Sequence, residues 1–251
     1  MVVRSRKKEF WPIVNSVIKE SDLLLMVMDA RFYDKTLNKE IEHKVKDAGK
    51  VLIYILNKSD LLREKFQDLK LPFEHYIFVS SKENLGTTQL RNLIKRFAKK
   101  KPFYVGVLGY PNTGKSTLIN ALGQRKATAT SSSPGFTKGR QLVRLSPGLF
   151  LLDTPGVIPY RDRKDLEKGF INVEDINKVK NPDVLAFRVL SYLLREDPER
   201  LKKVYGVEIV NNKVEMFEKI GKRLNILKKG AEIDEDKVAR RIVRDWQRGI
   251  L

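Results

Sequence analysis

The stretch Gly109–Ser116, GYPNTGKS, follows an apolar run, FYVGVL (Phe103–Leu108), and opens a helix-like stretch, Lys115–Leu122. Gly-x-x-x-x-Gly-Lys-Ser between a strand and a helix is the pattern of a loop whose backbone N–H groups, at a helix N-terminus, surround phosphates. Gly109, Asn112, Thr113, Gly114, Lys115, Ser116 and Thr117 are the residues expected at that cradle. Lys115 can neutralise the outer phosphates, and the Ser116 hydroxyl can ligate magnesium. A plain glycine turn is the ordinary alternative, and the strand and helix on either side argue against it.

A second apolar run, VLIYIL (Val51–Leu56), ends in NKSD, Asn57–Asp60. The Asp60 carboxylate can accept from both N1–H and the 2-amino group of guanine. Adenine offers an acceptor at N1 and no 2-amino group, so it leaves that carboxylate unpaired. Asn57 is expected to reach the other edge of the base, and the Lys58 stem to pack on its face. In FVSSKENLG, Ser80, Ser81 and Lys82 resemble a loop that backs the guanine. DTPG, Asp153–Gly156, follows a further strand-like run, LFLL. Asp153 can reach the magnesium through water, and the Gly156 N–H can point at a terminal phosphate. Asp-x-x-Gly is common by chance, and its place at a strand end some 40 residues after the phosphate loop is what gives it weight. The polar loop between, TATSSSPGFTKGR, reads as a switch segment with Thr137 as second magnesium ligand; Thr130 and Thr128 are the alternatives. Lys115, Thr137 and Gly156 are thus the candidate catalytic residues.

Six apolar runs precede residue 157: Leu23–Met28, Val51–Leu56, Tyr76–Val79, Phe103–Leu108, Gln141–Leu145 and Leu149–Leu152. Most are continuous rather than alternating, which predicts strands buried on both faces of a mostly parallel six-stranded sheet. The short LSPGLF turn makes the last two an antiparallel hairpin. Helix-like stretches at Thr36–Ala48, Thr87–Lys100 and Lys115–Leu122 complete an α/β alternation. After Gly156 the strand-like runs stop, and helical periodicity takes over near Pro182–Glu196, Asn212–Leu224 and Asp234–Arg248. The reading is an α/β nucleotide-binding domain over residues 1–160 and a small all-helical C-terminal domain over 165–251, joined by a charged linker containing Pro159.

The elements come in an unusual order: guanine reader, backing loop, phosphate loop, switch loop, Asp-x-x-Gly. Moving residues 103–156 ahead of 20–98 restores the order of a guanine-nucleotide-binding domain. The domain is therefore expected to be circularly permuted, which requires only that its natural termini lie close together. The permutation hangs the C-terminal domain directly from the segment after Asp-x-x-Gly, so a change at Gly156 on loss of the terminal phosphate can swing that domain.

Charge points to the partner. The 251 residues carry a formal +19, with 28 Lys and Arg against 14 Asp and Glu through residue 156 and 22 against 17 after it. Such a chain is drawn to polyanions, nucleic acid first among them; a solubility or thermophile signature is the alternative. The absence of cysteine excludes disulfides and thiol catalysis, and two histidines, His43 and His75, are too few for a His-rich metal site. No apolar run approaches the roughly 18 residues of a membrane span, and the N-terminal residues lack a signal peptide's apolar core, so no membrane partner and a cytoplasmic location are expected.

With these motifs in hand, the chain resembles circularly permuted GTPases of the YlqF/YawG-like type that assist ribosome assembly. The likeness runs through DAR (Asp29–Arg31), NKSD, SSK, GYPNTGKSTLINAL, PGFTKG and LLDTPGVIP, and more weakly through the end of the chain, which is similar to archaeal-type members. It implies GTP and GDP as ligands, magnesium-dependent GTP hydrolysis, and binding to the large ribosomal subunit or its RNA as a monomer off the ribosome. Val157 stands where a Ras-like domain has a water-orienting glutamine, and the family likewise has an apolar residue there. The N-terminal His proposed for that task in some bacterial relatives has no counterpart in residues 1–42. Asn112 matches the asparagine that holds potassium in related GTPases; an Asn that merely shapes the loop is the alternative.

At 100° per residue, Lys237, Arg240, Arg241, Arg244 and Arg248 fall within one arc of about 100°, opposite Val238, Ala239, Ile242, Val243 and Trp246. The apolar side is expected to pack and the cations to face RNA phosphates, with KRLNILKK (Lys222–Lys229) and RSRKK (Arg4–Lys8) as further basic candidates. Trp246 reads as core. The expected function is a GTP-hydrolysing switch in large-subunit assembly; the alternatives are a GTP-dependent RNA-binding scaffold that hardly turns over, and a GTPase acting on tRNA or at a membrane.

Overall fold

The six apolar runs form six strands: β1 (Leu23–Asp29), β2 (Val51–Asn57), β3 (Tyr76–Val79), β4 (Phe103–Gly109), β5 (Gln141–Ser146) and β6 (Leu149–Asp153). The computed structural model describes residues 3–62, 71–123, 141–153, 181–228 and 230–251, and the side chains of 3–10, 141 and 153 are not among those described. The chain divides into two compact units, Met1–Tyr160 and Arg161–Leu251.

In the first unit the strands make one sheet in the order β3-β2-β1-β4-β6-β5. All neighbours are parallel except β5 and β6, which pair as the expected hairpin. The chain builds outward through β1, β2 and β3, then returns to set β4 against the free edge of β1. Begun at β4, this is the unpermuted order of a guanine-nucleotide-binding domain, so the circular permutation is realised in the sheet. The reversal falls between β1 and β4, and ligands of open α/β sheets bind at the carboxyl end of such a junction.

Both faces of the sheet are buried, which is why the strands are apolar without alternation. Leu23, Leu25, Val27, Ile53, Ile55, Val105 and Val107 face one core with Leu90 and Ile94 of helix α4 (Thr87–Phe97) and Leu118, Ile119 and Leu122 of α5 (Lys115–Leu122). Leu24, Met26, Met28, Leu52, Tyr54 and Leu56 face the other with α1 (Val3–Glu20) and α3 (Lys39–Asp47). A short turn of helix, α2 (Tyr33–Thr36), lies between. The search for apolar runs finds no element before Leu23. Helix α1 has instead the helical spacing of Val14, Val17 and Ile18 as its buried stripe, with Trp11 packed beside it.

Glycine at position 106, inside β4, lets α1 approach the sheet. A Cβ there would sit 2.4 Å from Ser21 Oγ, 2.8 Å from Val17 Cγ1 and 2.9 Å from Leu24 Cδ2. Ser21 cannot swing aside, because its hydroxyl donates to the Val17 carbonyl at 2.6 Å. Gly106→Ala is expected to destabilise the first unit by about 1–3 kcal/mol, the usual cost of overpacking, read as a lower urea midpoint at unchanged m-value.

The second unit is helical among its described residues: α6 (Pro182–Glu196), α7 (Pro198–Tyr205), α8 (Lys213–Arg223) and α9 (Glu235–Gln247). Helices α6 and α9 pack on each other, with Leu185, Val189 and Leu193 against Val238, Ile242 and Val243 as the buried stripes. Trp246 is 1% exposed and meets Tyr192 edge-on at 5.4 Å, a core residue as expected. Among the described residues no helix is long and apolar enough to cross a membrane.

Candidate nucleotide site

The strand register brings four chain ends to one edge. Asp29 pairs with Asn57 across β1 and β2, Asn57 with Val79 across β2 and β3, and Val27 of β1 with Gly109 of β4. The guanine-reading and backing loops therefore start at one level, and the phosphate loop starts two residues earlier on the same edge, beside the β1/β4 reversal.

In the phosphate loop, a Cβ at Gly109 (φ +146°) would lie 2.3 Å from the Val27 carbonyl oxygen of the neighbouring strand, which only glycine avoids. Thr113 is buried and donates its hydroxyl to the Tyr110 carbonyl at 2.9 Å. Lys115, also buried, donates from Nζ to the carbonyls of Gly109 (2.9 Å) and Tyr110 (2.7 Å), placing its charge on the floor of the loop. Ser116 and Thr117 in the first turn of α5, and Asn112 at the loop's crest with φ +60°, are exposed. Backbone amides converging at a helix start over a buried ammonium form a receptor for polyphosphate.

Asn57 is 2% exposed, and both ends of its amide bond to the protein. Nδ2 donates to the Thr113 carbonyl at 2.8 Å, and Oδ1 accepts from the Ser81 N–H (3.0 Å) and Ser81 hydroxyl (2.7 Å). Asn57 thus ties the phosphate loop to the backing loop, a role that its place in the sequence does not announce. Gly114 makes room for the tie: its φ is +92°, and a Cβ would stand 2.2 Å from Asn57 Nδ2.

Asp60 sits half-buried in a single 3-10 turn, Ser59–Leu61, directly after Asn57 and Lys58. Ser80 is buried, its hydroxyl accepting from the Glu83 N–H at 3.2 Å, while Lys82 is exposed. Lys58 takes a left-handed backbone conformation (φ +62°), and its Nζ lies 3.0 Å from Asp29 Oδ2. Burial lowers the Lys58 ammonium below its ordinary range, and the Asp29 carboxylate opposes that shift without cancelling it. Burial by itself would raise the Asp29 carboxyl; Arg31 and Lys58 outweigh it and hold the group well below the usual carboxylate range. Asp29 and Arg31 entered the sequence reading only as part of a resemblance. The signal that marks them is an acidic residue closing an otherwise wholly apolar buried strand, level with Asn57 on the next.

Asp153 ends β6 on the same side of the sheet. Thr128, Thr130, Thr137, Gly156, Val157 and Pro159 lie outside the described residues, as does the switch segment as a whole.

The expected basic stripe on α9 is largely ion-paired within the helix and its cap. Lys237 meets Asp234 at 2.9 Å, Arg240 meets Asp236 at 2.7 Å, and Arg241 meets Asp245 at 2.7 Å. The wheel counted cations and left out the carboxylates three and four residues away, whose spacing makes such pairs. Arg244 is half-buried and Arg248 exposed. Lys229 and the side chains of Arg4–Lys8 lie outside the described residues.

A family model described as 50S ribosome-binding GTPase matches residues 104–222, starting in β4 and so beginning with the phosphate loop. A GTP-binding protein of Methanocaldococcus jannaschii is 42% identical over 256 residues, spanning 100% of this chain and 68% of that protein. Nucleolar GTP-binding protein 2 of Saccharomyces cerevisiae is 31% identical over 261 residues, which is 98% of this chain and 53% of that protein. The chain thus spans about half the length of this nucleolar relative. The crystal structure of GNP-bound YlqF from T. maritima superposes with a TM-score of 0.60 at 20% identity, covering 96% of this chain and 94% of the other, and carries the same fold. With the permuted strand order, the ordered motifs along it and a relative 42% identical over the whole of this chain, the chain belongs to the circularly permuted YlqF/YawG-like GTPases.

Proposed function

We propose that the chain binds GTP and GDP, hydrolyses GTP, and serves as a switch in assembly of the large ribosomal subunit through contacts with its RNA. The observation that supports the nucleotide reading most is the Asn57 tie. One buried amide couples the loop that cradles phosphates to the loop that backs a base, so the two halves of a guanine nucleotide meet one preorganised surface.

In this reading the phosphate-loop amides and Lys115 hold the phosphates, and Asp60 reads N1–H and the 2-amino group. The exposed Ser116 hydroxyl and Asp153 are hard oxygen donors suited to magnesium, with Thr137 as the expected third. Magnesium, when bound, neutralises charge developing between the outer phosphates. Gly156 N–H is assigned to the terminal phosphate, and Asn112 to potassium. Val157 supplies no polar group to orient water, so slow turnover without the ribosome or potassium is part of the proposal. The boundary between nucleotide domain (1–160) and RNA-binding helical domain (165–251), a monomeric state off the ribosome and a cytoplasmic location belong to it as well.

For RNA, Lys237, Arg240, Arg241, Arg244 and Arg248 are the contact set. The pairs of Lys237 and Arg240 with aspartates lie at the surface, where solvent and salt screen them, and a phosphate can displace such a carboxylate; Asp245, the partner of Arg241, is 3% exposed, so Arg241 keeps that pair and offers its other N–H groups. The relatives support the partner: one carries a nucleolar name and the family model a 50S ribosome-binding description.

The test is co-sedimentation with large ribosomal subunits in a non-hydrolysable GTP analogue against GDP, alongside turnover with and without subunits in potassium and in sodium. Subunit binding that prefers the analogue, with stimulated turnover, is the expected result. Binding without stimulation by subunits or potassium favours the scaffold reading. Arg244→Glu with Arg248→Glu should weaken subunit binding about tenfold or more at 0.1 M salt while leaving GDP affinity intact.

A further inference from the structure

Asp29 and Arg31 form a buried device with no assigned part in nucleotide chemistry. Arg31 grips the Asp29 carboxylate with two parallel bonds, Nε to Oδ1 at 3.0 Å and Nη2 to Oδ2 at 2.9 Å. Its backbone N–H donates to Oδ1 as well, at 3.2 Å, closing a turn at the end of β1. The Asp29 N–H donates to Thr36 Oγ1, which in turn donates to the Phe32 carbonyl, so the carboxylate is held from its backbone outward. The side chains of Arg31 and Asp29 are 3% and 1% exposed. One cation already neutralises this carboxylate, yet a second, Lys58 Nζ, is brought to 3.0 Å of Oδ2, the oxygen that Arg31 Nη2 contacts.

Burying three charges is expensive, and a well-packed apolar cluster would serve stability as well. The arrangement has a geometric result instead. Lys58 stands between Asn57, locked to Thr113 and Ser81, and Asp60. Its left-handed backbone and its tethered ammonium fix both ends of a four-methylene stem. A lysine stem free at its tip samples many rotamers, whereas one tied at both ends presents a single flat apolar strip.

We propose that Asp29, oriented by Arg31, is a positioning residue that tethers the Lys58 ammonium so that the Lys58 stem forms a fixed platform for the face of a purine base. The inference rests on the guanine-nucleotide reading above. It predicts an effect on the base and none on the phosphates, because Asp29 reaches the ligand only through Lys58.

Asp29→Asn keeps the shape and removes the charge that holds the ammonium. GDP should dissociate faster and bind about tenfold more weakly, the order of one lost base-stacking contact, while inorganic tripolyphosphate binds within about twofold of wild type. Lys58→Met should do the same, and adding Asp29→Asn to it should cost nothing further. Should Asp29→Asn fail to fold, Asp29→Glu, which keeps the charge but moves the carboxylate away from its place beside Lys58 Nζ, carries the test with Lys58→Met, and it should weaken GDP binding in the same way. Unchanged GDP affinity in the folded variants overturns the proposal. So does a parallel loss of GDP and tripolyphosphate, which marks collapse of the whole site. Wild-type protein that binds tripolyphosphate but not GDP overturns the guanine reading and this inference with it, an outcome distinct from the other two.

Discussion

Asp60→Asn is expected to weaken GTP binding by on the order of 10²–10⁴-fold and to improve binding of xanthosine triphosphate. On the proposed reading the carboxylate accepts two hydrogen bonds from guanine, each charge-assisted and worth about 1.5–3 kcal/mol. An amide in its place keeps one acceptor and presents a donor where the 2-amino group donates, so one bond is lost and a donor faces a donor. Xanthine carries an oxygen at that position, which the amide can satisfy. Asp60 is half-buried in a one-turn 3-10 element, so the variant should fold as the wild type does. Titration with labelled GTP and xanthosine triphosphate reads both effects, and an undiminished preference for GTP means that another residue reads the base.

Asn57→Ala should abolish tight nucleotide binding altogether, by about 100-fold or more, and lower stability by about 3 kcal/mol. Its three hydrogen bonds are buried, and truncation orphans the Thr113 carbonyl and the Ser81 N–H and hydroxyl at roughly 1–3 kcal/mol for each group that water cannot reach. Binding falls further than stability alone explains, because the phosphate and base loops then move independently and a nucleotide must order both. Gly114→Ala attacks the same contact from the other side, through a Cβ 2.2 Å from Asn57 Nδ2. A double variant that costs no more than either single one is the signature of this shared contact. GTP affinity unaffected by Asn57→Ala would show the tie to be structural only.

These variants also separate what was legible in the chain from what was not. The six strands follow from apolar runs, because a parallel strand buried on both faces leaves polar residues no place to stand. Permutation was legible because motifs keep their order along strands even when the ends of the chain move. The Asn57 tie was not legible: the sequence puts Asn57 at a strand end, but cannot say that Gly114 and Ser81 arrive there from 57 and 24 residues away. The ion pairs along α9 were missed because a wheel of cations omits neighbouring carboxylates whose spacing was equally visible.

By itself, the amino-acid sequence determined the kind of chemistry: a phosphate loop, a guanine reader and their permuted order, all encoded within short stretches whose local geometry needs no distant partner. Only the tertiary structure decided how those stretches work together. It set Asp29, Asn57 and Val79 at one level through strand register, with Gly109 level with Val27 two residues earlier, turned Asn57 into a tie between loops, and gave Asp29 and Arg31 a task at Lys58. The reason is physical. A hydrogen bond or ion pair between residues far apart along the chain depends on register and packing, which no local pattern of residue types contains.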